Sequence, residues 1–526
     1  MIPRSYAPLR PIERIGLVVG LLLAAALMWP VRGYLTDDTF IHLQYARHLA
    51  EGRGLVFNVG ERVYGCTSPL WAILIADGMT LGFDGLLTAH VLGALSTLAS
   101  VGLFLQLMRR TLRTPELCAL ATVAWAGHAW MLRWSLSGME TPLAVALTLA
   151  GFVAFTEGAQ WGSRPVRTGA LWSLAALTRP EAVFLLALWA LFLTVDADSR
   201  AGLKRLIYGL MPPLLIYGAW LIQARVFFGT FWPETLSAKA AGGGGAAFGL
   251  ENLWRQVRIV GATDGVLAAL LVLGLLFTLG RWRGGPPLAQ RLLPWAWLVG
   301  VPALYVARGV PVLSRYMVPM LPVLAWLAWR AAERWWIGPG PAGAGRDAAP
   351  DDPQRVRRAV VLGALVTALV LAQNLAVYRT TVLPQVLSFS GGLRGSLVEW
   401  GRWLDRTAAP DAQIATPDIG AIGYYSRRRV LDIGGLVTPR MVPLLERQPE
   451  EDAVAQLAFS HFARPDYLID RADSADDLLR RSPHAARLTP LRHAVVPNLG
   501  VARPQPVTYT LYRVDWTGFD STRTRP

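Results

Sequence analysis

Long apolar runs alternate with short polar stretches along most of this chain, and the runs are roughly 15–22 residues long, the length a helix needs to cross about 30 Å of hydrocarbon. The first run, "IGLVVGLLLAAALMW", follows a head carrying Arg4, Arg10 and Arg14 and lacks a small-residue cleavage site, which predicts a retained span rather than a signal peptide. The next, "SPLWAILIADGMTLGF", is short and interrupted by Asp77 and Gly78, so it predicts a juxtamembrane or re-entrant helix. A second span then runs from about Leu86 to Leu107. Arginine clusters at Arg109, Arg110 and Arg113, at Arg164 and Arg167, from Arg200 to Arg205, at Arg281 and Arg283, and from Arg330 to Arg358 mark the inner ends. The alternation predicts a polytopic α-helical membrane protein of about eleven spans, N terminus in and C terminus out.

The last span, roughly Ala359 to Val377, hands the chain to a segment of different character. "RVLDIGG" and "VTYTLYRV" read as strands and "TPDIGAIGYYSRRR" as turn-rich, so a membrane module over 1–378 is followed by a small extracytoplasmic α/β domain over 379–526. "GPGPAGAGRDAAPDDPQ" reads as a flexible inner linker and "AAGGGGAAFG" as a mobile stretch of an outer loop. Neither a solenoid repeat nor inverted transporter-like halves are visible.

Composition agrees: among 526 residues, 53% hydrophobic and 17% charged is too apolar for an ordinary soluble enzyme. A net charge of +15 would suggest nucleic acid in a soluble protein, but here the arginines lie between apolar runs, and no basic, aromatic-studded soluble module accompanies them. Nucleic acid is excluded as a partner on that ground. Cys66 and Cys118 are too few for a disulfide framework or a cysteine metal site. Lys204 and Lys239 are the chain's two lysines.

Placed on this topology, the remaining polar motifs collect on the outer side. Asp37, Asp38, His42, Arg53, Glu61 and Arg62 lie in the first outer loop; Glu140 in "SGMETP"; Arg179 and Glu181 in "LTRPEA"; Glu234 and Lys239 in "FFGTFWPETLSAKA"; Arg308 and Arg315 in "RGVPVLSRY". Outward arginines are either tolerated in translocated loops or bind an anion. Thr36 is a good N-cap for a helix whose first turn holds Asp37 and Asp38 and whose Phe40, Leu43 and Ala46 form an apolar stripe. The two acids either complement the helix dipole or act in chemistry, because a carboxylate beside an acceptor hydroxyl is what a general base requires. His42 shares the face of Asp38; the pair is short of a third ligand, so a divalent metal is compatible with the site but not required. Glu140 serves as a helix-terminal acid or a ligand for substrate hydroxyls, and Arg179 and Glu181 pair with each other or bind ligand. Tyr64, Trp71, Trp232 and Tyr316 read as interfacial aromatics or as sugar-stacking platforms.

"TDDTFIHLQYARHLAEGRGLVFNVGERVYGCTSPLW", "SGMETP", "LTRPEA", "FFGTFWPETLSAKA" and "SRYMVPMLP", in this order from Leu35 to Pro322, resemble the GT-C membrane glycosyltransferases, most of all the mycobacterial terminal arabinofuranosyltransferases and their bacterial relatives. "DIGAIGYYSRRRVLDIGGLV" in the tail also resembles this group. The resemblance implies an enzyme of the bacterial inner membrane that moves a sugar, such as arabinofuranose, from a polyprenyl-phosphate donor to a cell-envelope glycan or lipid at the outer face. It implies Asp37 or Asp38 as the base and basic residues near the membrane, Lys239 and Arg315 and then Arg179, as ligands of the carrier phosphate. His42, Glu61, Arg62, Glu140, Glu181 and Glu234 complete the candidate substrate-binding set. Relatives usually carry an acid where this chain has Tyr64 and a small or amide residue where it has Glu234, so the donor sugar stays open. A lipid-linked-sugar flippase is the rival from another class, and a protein O-glycosyltransferase or lipid A sugar transferase the rivals within the class.

Overall fold

The computed structural model describes residues 8–157, 162–195, 199–234, 246–278, 288–309, 312–338, 352–500 and 504–519. Lys239, nearly all of the expected inner linker and the first half of the glycine-rich stretch lie outside them; that stretch's last residues already belong to a helix.

Apolar residues spaced for helices form them. Pro11 opens α1 (Pro11–Met28), and Glu13 reaches back to accept from the Arg10 N–H at 2.9 Å. Helices α2 (Asp37–Ala50) and α3 (Pro69–Thr80) follow. Asp84 caps α4 (Gly85–Thr111), its Oδ1 accepting from the Leu87 N–H at 2.8 Å. Helices α5 (Pro115–Ala126) and α6 (Ala129–Ser135) are two parts of one apolar run, broken at Gly127 and His128. Then come α7 (Thr141–Phe155), α8 (Pro165–Thr178), α9 (Ala182–Val195), α10 (Arg200–Pro212) and α11 (Ala219–Phe228). The bundle ends with α12 (Ala246–Thr278), α13 (Leu288–Ala307), the short α14 (Ser314–Met317), α15 (Leu321–Ile337) and α16 (Pro353–Val377).

Among the described residues five helical stretches are long and apolar enough to cross a bilayer, and five further apolar helices have 10–17 residues. Leu214, Val226 and Leu250 are 70%, 75% and 71% exposed, as side chains on the outside of a membrane-embedded bundle are.

At the expected domain boundary near residue 378 the backbone stays helical. Helix α16 continues through π-helical turns at Tyr378–Val382 and Arg394–Val398 into α17 (Leu383–Leu393) and α18 (Glu399–Thr407). The helix persists because Leu393, Leu397, Trp400 and Leu404 bury one face against the sheet that follows. That sheet has the order β2-β1-β3-β5-β4, with β1 (Gln413–Thr416), β2 (Arg429–Asp432), β3 (Tyr467–Ala472), β4 (Leu488–Val496) and β5 (Val507–Val514). Strand β1 is parallel to both β2 and β3, and β5 is antiparallel to β3 and β4. Both strand-like segments of the sequence are strands. The turn-rich segment instead holds a helix, α19 (Gly420–Ser426), which links β1 to β2. Its glycines serve contact rather than turning: a Cβ on Gly423 would meet the Phe57 ring at 2.7 Å, and one on Gly420 would overlap the Asp37 carbonyl.

A single apolar cluster therefore runs from Phe40, Leu43 and Trp71 on α2 and α3 into Ile422, Val430 and Leu511 of the α/β unit. Helix α2 is clamped between α3 and α4 of the bundle and α19 of the α/β unit.

Candidate active site

The clamp fixes the first turn of α2. Thr36 caps it as the sequence predicts, its Oγ1 accepting from the Thr39 N–H at 3.2 Å, and Thr39 Oγ1 donates to the Ser137 carbonyl at 2.5 Å, tying the turn to "SGMETP". Gly138 takes φ +76°, and a side chain there would strike Thr39. Phe40, Leu43 and Ala46 are fully buried, which sends the neighbouring acids to opposite walls.

Asp37 turns to the α/β unit. Its Oδ2 accepts from the Gly420 N–H at 2.7 Å and its Oδ1 from the Ala421 N–H at 2.8 Å, so both oxygens rest on the first amides of α19. Removal from water, and then the nearby Asp418, raise the proton affinity of this carboxyl; the two amides lower it, and the balance stands at about 7.

Asp38 turns to the bundle, where its Oδ2 pairs with Arg315 Nη1 at 2.6 Å. The Arg315 guanidinium lies against the rings of Trp134 and Tyr316, at 5.8 and 5.3 Å from their centroids. Beside it runs a chain of pairs: Arg179 Nη2 to Glu181 at 2.8 Å, Arg179 Nη1 to Glu140 at 2.6 Å, and His42 Nε2 to Glu140 at 3.2 Å. Tyr305 donates its hydroxyl proton to Glu181 and stacks on Tyr316 at 5.2 Å. Burial would raise Glu140 and lower His42, but Arg179 and then His42 bring Glu140 down to about 2, and contacts with Cys66 and Glu140 carry His42 up to about 9. Among the described residues the cluster thus pairs His42, Arg179 and Arg315 with Asp38, Glu140 and Glu181. A small cleft borders Arg179, Glu181 and Tyr316, walled otherwise by Thr148, Trp297 and Val301 among others.

The structure brings together Asp37, Asp38, His42, Glu140, Arg179, Glu181 and Arg315. It gives other expected residues different partners. Glu61 pairs with Arg429 on β2 and accepts from Asn58 at 2.8 Å, so it belongs to the seam with the α/β unit. Arg62 lies over the Phe227 ring at 5.1 Å, and the Glu234 N–H donates to the Tyr64 carbonyl at 2.9 Å. Tyr64 is stacked on Phe228 at 4.8 Å, and the Trp71 indole donates to the Gly138 carbonyl at 3.0 Å, which commits both rings to packing. Among the described residues no three His, Cys, Asp or Glu side chains converge as a metal site.

Sequence reasoning missed Gly420, Ala421 and Tyr305, and it expected few charges inside the spans. Yet His128, at the α5–α6 break, sits 3.0 Å from Asp264 of α12, and Asn374 of α16 accepts from the Ala129 N–H at 2.8 Å. The only sequence signal for this node was His128 and Asp264 interrupting apolar runs.

A family model described as "Domain of unknown function (DUF8728)" matches residues 389–516. The chain is similar to the terminal β-(1→2)-arabinofuranosyltransferase of Mycobacterium tuberculosis, 28% identical over 229 residues, which cover 40% of this chain and 36% of that protein. It thus spans about a third of that relative's length. Among solved structures, ArnT from Cupriavidus metallidurans in the apo state has TM-score 0.57 and 17% identity over 94% of this chain and 98% of that one. The same enzyme bound to undecaprenyl phosphate gives TM-score 0.54 at 15% identity, over 94% and 97%. The mycobacterial arabinofuranosyltransferase AftD gives TM-score 0.51 at 18% identity, over 95% of this chain and 41% of that one. The chain has the polytopic, helical GT-C fold.

Proposed function

We propose that this chain, built on the GT-C fold, transfers a sugar from a polyprenyl-phosphate donor to a hydroxyl of a cell-envelope glycan or lipid, inverting the anomeric centre. The observation that carries this reading is the divergence of Asp37 and Asp38: one carboxylate rests on backbone amides at the α/β unit, and the other on a cation at the bundle mouth. An inverting displacement needs its base and its leaving-group ligands on opposite sides of the sugar. Asp38 touches the cation best suited to the phosphate and so belongs to the leaving side; Asp37 belongs to the acceptor side.

The roles follow from the charges. Asp37, with a proton affinity near neutrality, takes the proton of the acceptor hydroxyl as its oxygen attacks the anomeric carbon. The bond to phosphate breaks with its electron pair, and Arg315 receives the polyprenyl phosphate. Arg179 holds two acids already, whereas Arg315 holds Asp38, whose side chain is 42% exposed and has room to swing away. Phosphate is a weak base and leaves without an acid. The likeness to ArnT, solved with undecaprenyl phosphate, and to arabinofuranosyltransferases supports a polyprenyl carrier and a pentofuranose such as arabinofuranose. In this reading about eleven spans put the N terminus inside, and the site faces the periplasmic side of the bacterial inner membrane.

The test is transfer of radiolabelled sugar from a panel of polyprenyl-phosphate donors into cell-envelope acceptors by wild type, Asp37→Asn and Asp38→Asn. Transfer that Asp37→Asn abolishes is expected. Loss in Asp38→Asn with Asp37→Asn active would reassign the base, and no transfer by folded, lipid-binding wild type would overturn the reading.

A further inference from the structure

We propose that the α/β unit is the second half of the active site: its β1–α19 turn aims the Asp37 carboxylate, and Asp418 is the positioning residue that holds the turn in place. This rests on the reading of Asp37 as the base and assigns a task to a segment whose matching family model names none.

In open α/β sheets a ligand sits beyond the carboxyl ends of the strands, where neighbouring connections part to either side. Strand β1 is such a place, flanked by β2 on one side and β3 on the other, and α19 starts just past its carboxyl end. Here the position is taken by a side chain of the chain itself, Asp37, whose two oxygens are each matched to one amide. Two bonds to two successive amides fix a carboxylate's plane as well as its place, which one ion pair on a flexible side chain does not.

The turn is itself anchored from behind. Asp418 Oδ2 accepts from Tyr509 Oη at 2.6 Å and from Arg471 Nη1 at 2.8 Å, and the Asp418 carbonyl accepts from Thr416 Oγ1 at 3.1 Å. Arg471 lies on β3 and Tyr509 on β5, paired directly opposite each other, so the anchor is built into the sheet. A line of contacts therefore runs from β3 and β5 through Asp418 to the Gly420 and Ala421 amides, and from there to Asp37. Around it the seam is closed by Asn58, which exchanges two bonds with Val430 at 2.8 and 3.0 Å, by Arg47 donating to the Tyr424 carbonyl at 2.8 Å, and by Phe40 against the Tyr425 ring at 5.2 Å. Gly420 is the point of closest approach, since any Cβ there collides with the Asp37 backbone.

The test is hydrogen exchange on the full chain in lipid nanodiscs, comparing wild type with Gly420→Ala and Tyr509→Phe. Tyr509→Phe removes one bond to Asp418 without adding volume, and peptides from β3 and β5 report whether the sheet stays intact. The expected result is several-fold faster exchange across residues 36–50 in both variants, with the sheet protected and binding of undecaprenyl phosphate unchanged. Turnover should fall, and combining Gly420→Ala with Asp37→Asn should cost no more than Asp37→Asn alone. Unchanged exchange in residues 36–50 for both variants, or additive losses in the double variant, would overturn the proposal. The exchange arm needs no reaction, so it gives its answer even if no donor sugar is ever transferred.

Discussion

The two walls around the start of α2 use different materials. On the sheet side Asp37 meets backbone amides, whose positions are set by strands and a helix; on the bundle side Asp38 meets Arg315, one of a group of long side chains held by one another. Backbone donors give a fixed direction and cannot move off when a ligand arrives, which suits a base. Paired side chains can exchange one anion for another, which suits a site that receives and releases a phosphate. The ion pairs sharpen the contrast: among the described residues His42, Arg179 and Arg315 pair with Asp38, Glu140 and Glu181, and of these three acids Asp38 has the most exposed side chain, so it is the one an incoming phosphate would most readily replace.

The largest expected effect breaks the sheet-side wall. Asp37→Asn should lower transfer by about 10²–10⁴, the range for a lost general base, with donor binding preserved. Equal, mild losses in Asp37→Asn and Asp38→Asn would erase the distinction between the walls. Next comes the inner pair of the bundle side. Arg179→Gln leaves Glu140 buried without its main cation, and loss of one partner of such a pair costs about 3–5 kcal/mol. The measurement is thermal or denaturant stability in detergent, where this variant should lose far more than Arg315→Gln. Arg315→Gln should instead raise the donor KM roughly ten- to hundredfold, as one lost charged hydrogen bond of about 1.5–3 kcal/mol implies. A donor KM that Arg179→Gln moves and Arg315→Gln does not would exchange the two arginines' roles.

How much of this was readable beforehand depends on the distance between partners along the chain. The cap at Thr36, the acids of the first turn and the stripe of Phe40, Leu43 and Ala46 are local, and helical periodicity alone revealed them. Strands β2 and β5 stood out because their runs of β-branched, aliphatic and aromatic residues are a local signal too. Helix α19 was hidden because glycine reads as a turn former, whereas Gly420 and Gly423 are there for contacts with residues more than 350 positions away. The separation of Asp37 from Asp38 was hidden for the same reason: it is set by Gly420 and Arg315, and adjacency in sequence says nothing of either. Glu61 shows the same dependence: its partner Arg429 is on β2, more than 350 positions away, and that pairing places it at the seam with the α/β unit.

The smallest effect tests whether the sheet-side wall tunes the base as well as holding it. Asp37 stands at about 7 because of burial first and Asp418 second, with Asp38 adding a lesser push. A base works ionised, so transfer should fall away as pH drops below about 7. Stability runs the other way. A carboxyl raised from 3.8 to about 7 in the folded chain contributes in full below the unfolded value and loses that contribution as pH rises through about 7, so the seam is weakest where the base is active. His42, raised to about 9, stays charged in the folded chain through this range and adds no step to the activity profile, but its own contribution to stability, present in full below 6.5, is lost as pH rises through about 9. Asp418→Asn removes one negative charge facing Asp37 and should move the acid limb of kcat/KM to lower pH, while its loosened turn lowers the plateau. At pH 6 the two changes oppose each other, leaving a net difference of only a few-fold. A limb that stays in place while the plateau falls would mean that Asp418 positions the base through the turn and leaves its proton affinity to burial alone.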